Sequence, residues 1–249
     1  TSRVKMAERI DNIGFGDLKL IQEPSEFCYG VDAVILADFA AKHASGPVRQ
    51  AVDLGTGTGV IPLILSWKTD AGMIAGLEIQ EDSYDRAVRN AKMNGLESRI
   101  SFYNGDVKTA VRHELAHLCG RVDMVTSNPP YMPGTGGLKC ANRAKSIARH
   151  ETTAGLVDFF LCAAALLKPK GDLFMVHRPS RLADLCCFAR DNGLEPKEIC
   201  FVSPNLRKAP NIVLIHYVKG GGRQLRFLDP LYVYKEDGTY TESLRECYK

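Results

Sequence analysis

The chain has 249 residues, of which 45% are hydrophobic and 24% charged, with a formal net charge of +3. That is enough apolar material for one sizeable core and too much for a disordered chain. The mild positive balance leaves a nucleic-acid partner open, because local clustering of charge matters more than the sum.

Eight cysteines are scattered along the chain, with no Cys-x-x-Cys pair and with Cys186 and Cys187 adjacent, a spacing poorly suited to one metal ion. They read as small, reduced core residues of a cytoplasmic protein, and no metal site is expected. No secretory or membrane-length apolar run appears, so no membrane partner is expected.

From Asp17 to Tyr29 short apolar stretches alternate with turn residues, the pattern of a hairpin, and Val31 to Ala41 reads as a helix. From Gln50 onward strands and helices alternate. The predicted strands are Gln50–Leu54, Met73–Ile79, Arg99–Asn104, Val122–Ser127, Gly171–His177, Glu198–Ser203 and Ile212–Val218. Asp82–Asn94 is the clearest helix, with Gly95 as its stop, and Thr152–Leu167 is an apolar helix suited to packing on a sheet. Such alternation means an α/β fold with a doubly wound, mostly parallel sheet of seven strands and a ligand site at the strands' carboxyl ends. Only the loop 204–211 separates the last two strands, so they are expected to pair antiparallel. The expected division is an N-terminal extension over residues 1–45, hairpin plus helix, packed on a domain over residues 46–249.

Two motifs carry chemistry. Asp53-Leu54-Gly55-Thr56-Gly57-Thr58-Gly59 follows an apolar strand and precedes a helix. Glycines let backbone pass close to a ligand, and a helix start offers free N–H groups. The Gly-x-Gly-x-Gly spacing is not that of a dinucleotide site, which disfavours a nicotinamide oxidoreductase. Glu78 ends the next strand, well placed to accept from a ribose diol, and Asp106 ends the third; each could also be a solvated strand end. The second motif is Asn128-Pro129-Pro130-Tyr131, after the fourth strand. Two prolines fix the backbone and remove two donors, so the turn can aim the Asn128 carboxamide and a free carbonyl at one point beside an aromatic face. Two acceptors and a stacking face suit a planar, amine-bearing group such as a nucleobase. An ordinary proline-capped strand exit, with Tyr131 as a core aromatic, is the alternative.

This set of residues resembles the class I S-adenosylmethionine (SAM)-dependent methyltransferases that methylate amino groups, a Rossmann-like family. Three further stretches resemble the tRNA1(Val) adenine-37 N6-methyltransferase family within it: Phe27 to Ala37, Ala148-Arg149-His150-Glu151 and Pro230-Leu231-Tyr232-Val233-Tyr234. The resemblance implies a cofactor site for SAM, and for its product S-adenosylhomocysteine, on Asp53, Gly55, Gly57, Gly59, Glu78, Asp106 and Val107. Asp53 would face the amino group or order the glycine loop, and Asp106 would read the adenine amine with Val107 against the ring. A helix N-cap is the other reading of Asp106. Catalysis would rest on Asn128, Pro129 and Tyr131, with RNA, most simply tRNA, as partner. The target base must be single-stranded or flipped to enter such a pocket.

The stretch from Met132 to Glu151 is long and basic. Lys139, Arg143, Lys145, Arg149 and His150 are candidates for phosphate contact, as are Arg207 and Lys208 between the last two strands. A solvated charged loop is the plainer reading. The expected activity is methyl transfer to N6 of an RNA adenine, adenine-37 of a tRNA. The alternatives are the same chemistry on a guanine N2 of rRNA or a protein glutamine amide, or a non-catalytic SAM- or RNA-binding module. His113, His117, Ser45 and Ser203 have no triad spacing and are assigned no role.

Overall fold

The computed structural model describes residues 8–24, 29–130 and 154–249. Two short strands, β1 (Arg9–Asn12) and β2 (Lys19–Gln22), form an antiparallel hairpin apart from the main sheet. Helix α1 (Val31–His43) follows, and then strands and helices alternate: β3 (Gln50–Leu54), α2 (Val60–Lys68), β4 (Met73–Glu78), α3 (Glu81–Met93), β5 (Ile100–Asn104) and β6 (Val122–Ser127). After the segment that is not described come α4 (Leu156–Leu166), β7 (Leu167–His177), α5 (Leu182–Asp191), β8 (Leu194–Ser203) and β9 (Ile212–Lys219). Two-residue strands β10 (Arg226–Phe227) and β11 (Leu231–Tyr232) and helix α6 (Glu242–Glu246) close the chain.

The main sheet runs β8-β9-β7-β6-β3-β4-β5, with β10 and β11 both paired to the outer side of β8. All neighbours are parallel except β9, which lies antiparallel between β7 and β8. The seven long strands are those expected from the sequence, within a few residues at their ends. β7 and β8 each start four residues earlier than expected; β7 starts at Leu167, ahead of the Lys168-Pro169-Lys170-Gly171 turn signal, because Leu167 already pairs with Val122 across a bulge in the ladder. The first strand of the hairpin lies upstream of Asp17, in Arg9-Ile10-Asp11-Asn12, which carries almost no apolar alternation.

Side chains alternate between the two sheet faces. Ala51, Ile74, Met124, Phe174 and Val176 pack under α1, α2, α3 and the hairpin. Val52, Leu54, Leu77, Val125, Leu173 and Met175 pack on the other face under α4, α5 and the helical turns of residues 110–118. With both faces covered, the central strands read as continuous apolar runs. The chain order reverses direction between β3 and β6, which puts a topological switch point at their carboxyl ends, the place where ligands of doubly wound sheets bind.

Candidate active site at the sheet's switch point

Leu54 and Ser127 are paired across β3 and β6. The glycine loop and the Asn128-Pro129-Pro130 turn, which follow strand ends 73 residues apart in sequence, therefore leave the sheet side by side. Two hydroxyls fasten these strand ends. Thr126 Oγ1 donates to Asp53 Oδ1 at 2.7 Å, and Ser127 Oγ donates to the Leu54 carbonyl at 2.9 Å. Both hydroxyls stood in plain view at the end of an otherwise apolar strand, yet alternation alone gives them no role.

The glycine loop is tied down from β4. The amides of Gly55 and Thr56 both donate to the Leu77 carbonyl, at 2.9 and 3.0 Å. Glu78, buried at the end of β4, accepts from the Gly57 amide through Oε2 and from the Gln80 amide through Oε1, each at 2.8 Å. The carboxylate thus shapes the loop, and each oxygen keeps a second lone pair for a ligand hydroxyl. Gly57 has φ +57°, and a Cβ built there would meet no atom of the described residues, so glycine leaves that side open to close approach. At Gly59 the need for glycine is steric as well: φ is +83° and a Cβ would lie 2.6 Å from the Phe102 ring.

Asp53 is fully buried, and its Oδ2 has no hydrogen-bond partner among the described residues. Burial pushes its carboxyl up to about 7, against the neighbouring Thr56 and Thr126 hydroxyls and with help from the Glu78 charge. An unsatisfied buried acceptor is costly and marks a place for a donor. Asp106 Oδ1 accepts from the Lys108 amide at 2.9 Å, so this oxygen serves a local turn after β5, and Val107 is buried beside it. Asn128 is half-buried and its side chain makes no hydrogen bond to another described residue, while Pro129 is buried and Pro130 exposed. His177 ends β7, next to β6; burial and then the Arg181 charge hold its pKa down at about 4, so the ring is neutral at neutral pH.

Of the basic candidates, Arg207 and Lys208 are exposed in the loop beyond β8, at the same carboxyl edge, and Arg207 pairs with Glu236 at 2.7 Å. Three strand spacings, about 14 Å, separate β8 from β6. Tyr131, Lys139, Arg143, Lys145, Arg149 and His150 lie outside the described residues. Among the described residues no group of three or more His, Cys, Asp or Glu could hold a metal ion, and no helix is long and apolar enough to cross a membrane.

A free buried acceptor, an open glycine backbone and an acidic strand end fit a ligand with an amino group, a chain that hugs backbone, and a ribose, which are the parts of SAM. Comparison with known proteins bears on this fit. Residues 18–183 match the model of the methyltransferase small domain. A Porphyromonas gingivalis protein called tRNA1(Val) (adenine(37)-N6)-methyltransferase is 30% identical over 217 residues, 85% of this chain and 83% of the relative. A relative of the same name from Escherichia fergusonii is 27% identical over 86% of this chain and 83% of its own. Among solved structures, a predicted O-methyltransferase from Agrobacterium tumefaciens superposes with a TM-score of 0.70 at 20% identity, over 87% of this chain and 95% of its own, a likeness of fold. The chain belongs to the methyltransferase small-domain family and is an S-adenosylmethionine-dependent methyltransferase with the class I fold.

Proposed function

We propose that the protein methylates the exocyclic N6 of an adenine in RNA, namely adenine-37 in the anticodon loop of a tRNA. The observation that carries this reading is the Asn128-Pro129-Pro130 turn, held one strand away from the glycine loop by the Leu54–Ser127 pairing. The names of relatives that match over most of the chain support the choice of substrate.

SAM, when bound, supplies an electrophilic methyl group on a sulfonium. The chain's own residues do the rest. Asp53 would take the cofactor's amino group with its free oxygen, Glu78 the ribose hydroxyls, and Asp106 with Val107 the adenine. The Asn128 carboxamide oxygen and the Pro129 carbonyl would accept the two hydrogens of the target amine. That draws the nitrogen lone pair out of conjugation with the ring and stabilises the positive charge that develops on nitrogen. No strong base is needed, because the proton leaves after transfer. Tyr131 would stack on the base. Holding both reactants at the switch point supplies much of the remaining rate.

The deciding experiment incubates the protein with labelled SAM and, in separate arms, total tRNA lacking this modification, rRNA and a cell protein extract, followed by nucleoside analysis of the RNA and amino-acid analysis of the protein. N6-methyladenine in the anticodon loop is the expected product. Methylguanine in rRNA, or methylated glutamine in a protein, would keep the amine chemistry and replace the substrate.

A further inference from the structure

The N-terminal hairpin is fastened to α3 by a row of side chains spaced four apart. Arg86 Nη1 donates to Glu23 Oε2 at 2.9 Å. Asn90 Oδ1 accepts from the Ile21 amide at 2.6 Å, and its Nδ2 donates to the Ile21 carbonyl at 3.4 Å. Asn94, just after the helix, repeats the pattern with Lys19, accepting from its amide at 2.9 Å and donating to its carbonyl at 2.7 Å. Lys19 and Ile21 alternate along β2, so the two carboxamides take the place of a neighbouring strand on its outer edge. The two asparagines are not equivalent. Asn90 is fully buried, and its Nδ2 also donates to the Thr58 carbonyl of the glycine loop at 2.9 Å, whereas Asn94 Nδ2 spends its other proton on the Asn90 carbonyl of its own helix. One carboxamide therefore joins the hairpin to the loop, with both Nδ2 protons donated and the oxygen accepting from the Ile21 amide.

We propose that Asn90 is a positioning residue that couples the N-terminal hairpin to the cofactor loop, so that cofactor binding firms the hairpin and an intact hairpin sharpens cofactor affinity. This rests on the glycine loop being the SAM site. A ligand that orders Thr58 favours the state in which Asn90 is held between the two, and linkage makes the effect reciprocal.

The test uses S-adenosylhomocysteine on the full chain. In the wild-type protein, amide exchange at Lys19 and Ile21 should slow about tenfold at saturation. In Asn90→Ala, calorimetry should give S-adenosylhomocysteine binding weakened about tenfold, the scale of one lost buried hydrogen bond. KM for SAM should rise with kcat nearly unchanged, and ligand should no longer protect the hairpin. Asn94→Ala touches no part of the loop and leaves the Asn90–Thr58 bond in place, so it should weaken affinity only through the loosened hairpin, by about two- to threefold, with ligand still protecting the hairpin. The inference is overturned if S-adenosylhomocysteine binds the wild type and leaves hairpin exchange unchanged, or if Asn94→Ala weakens binding as much as Asn90→Ala. No binding to the wild type at all would overturn the cofactor site itself, and the coupling with it.

Discussion

Asn128 is a half-buried polar side chain beside two prolines, with no hydrogen bond to another described residue, and its proposed role is to accept from the target amine. Replacing it with alanine removes an acceptor whose worth grows as charge develops on nitrogen. Turnover of Asn128→Ala should fall roughly 10²-fold or more, with S-adenosylhomocysteine affinity near wild type; single-turnover kinetics beside calorimetry checks both. Asp53 makes a different forecast. Its carboxyl sits near 7 instead of the ordinary 3.8. With the folded value raised, its contribution to stability is complete below about pH 4 and is lost as pH climbs through 7. A cationic amino group prefers the ionised form, so affinity for S-adenosylhomocysteine should rise about tenfold between pH 5.5 and 7.5, and Asp53→Asn should flatten that rise. These residues were readable beforehand because they sit in motifs whose backbone demands show in the sequence. Thr126 and Asn90 were not readable, because a hydroxyl in a strand and a carboxamide on a polar helix face have bland explanations until the partner's position is known.

Among the elements, the seven long strands declared themselves by apolar runs between turn residues, and β9 by following β8 through a short loop. β1, β10 and β11 did not, since two to four residues are too few to carry a period. Periodicity also missed what locks β9 in place. His216, on β9, lies between Asp172 of β7, 2.8 Å from Nε2, and Glu198 of β8, 3.1 Å from Nδ1. His43 and Arg226 also reach Glu198, and Ser45 caps Asp172. Burial pushes the Glu198 carboxyl up, but its histidine and arginine partners outweigh that and hold it below the ordinary carboxylate range. The stability it lends is therefore present above about pH 4.5 and is lost as pH falls below that. His216→Leu would leave two buried carboxylates short of a partner and should cost about 3–5 kcal/mol, read by urea unfolding at pH 7, with the loss shrinking as the carboxylates protonate below pH 4.5.

For the molecule as a whole, the carboxyl edge of the sheet gathers the glycine loop, the Asn128 turn, Arg207 and Lys208, while the opposite edge holds the buried network around His216. The exposed Arg207–Glu236 pair is worth little in water, so Arg207 can exchange that carboxylate for a phosphate at small cost. Binding of tRNA should weaken with salt. Removing the charges of Arg207 and Lys208 together should lower the slope of log K against log salt by about 1 to 2 without altering S-adenosylhomocysteine affinity. Filter binding at several salt concentrations measures it, and an unchanged slope would place the RNA elsewhere.

The antiparallel strand β9 enters the sheet last among the long strands, yet it lies inside it, between β7 and β8. On the ribosome the two motif-bearing strands, β3 and β6, emerge early and can pair, while β7 waits with a bare apolar edge until residues 212–219 arrive. An open edge of that kind invites pairing with another chain. Nascent chains stalled before Ile212 should therefore self-associate, and those extended past Lys219 should not. Completion of the sheet, not assembly of the cofactor loop, sets the moment at which this protein becomes safe from its neighbours.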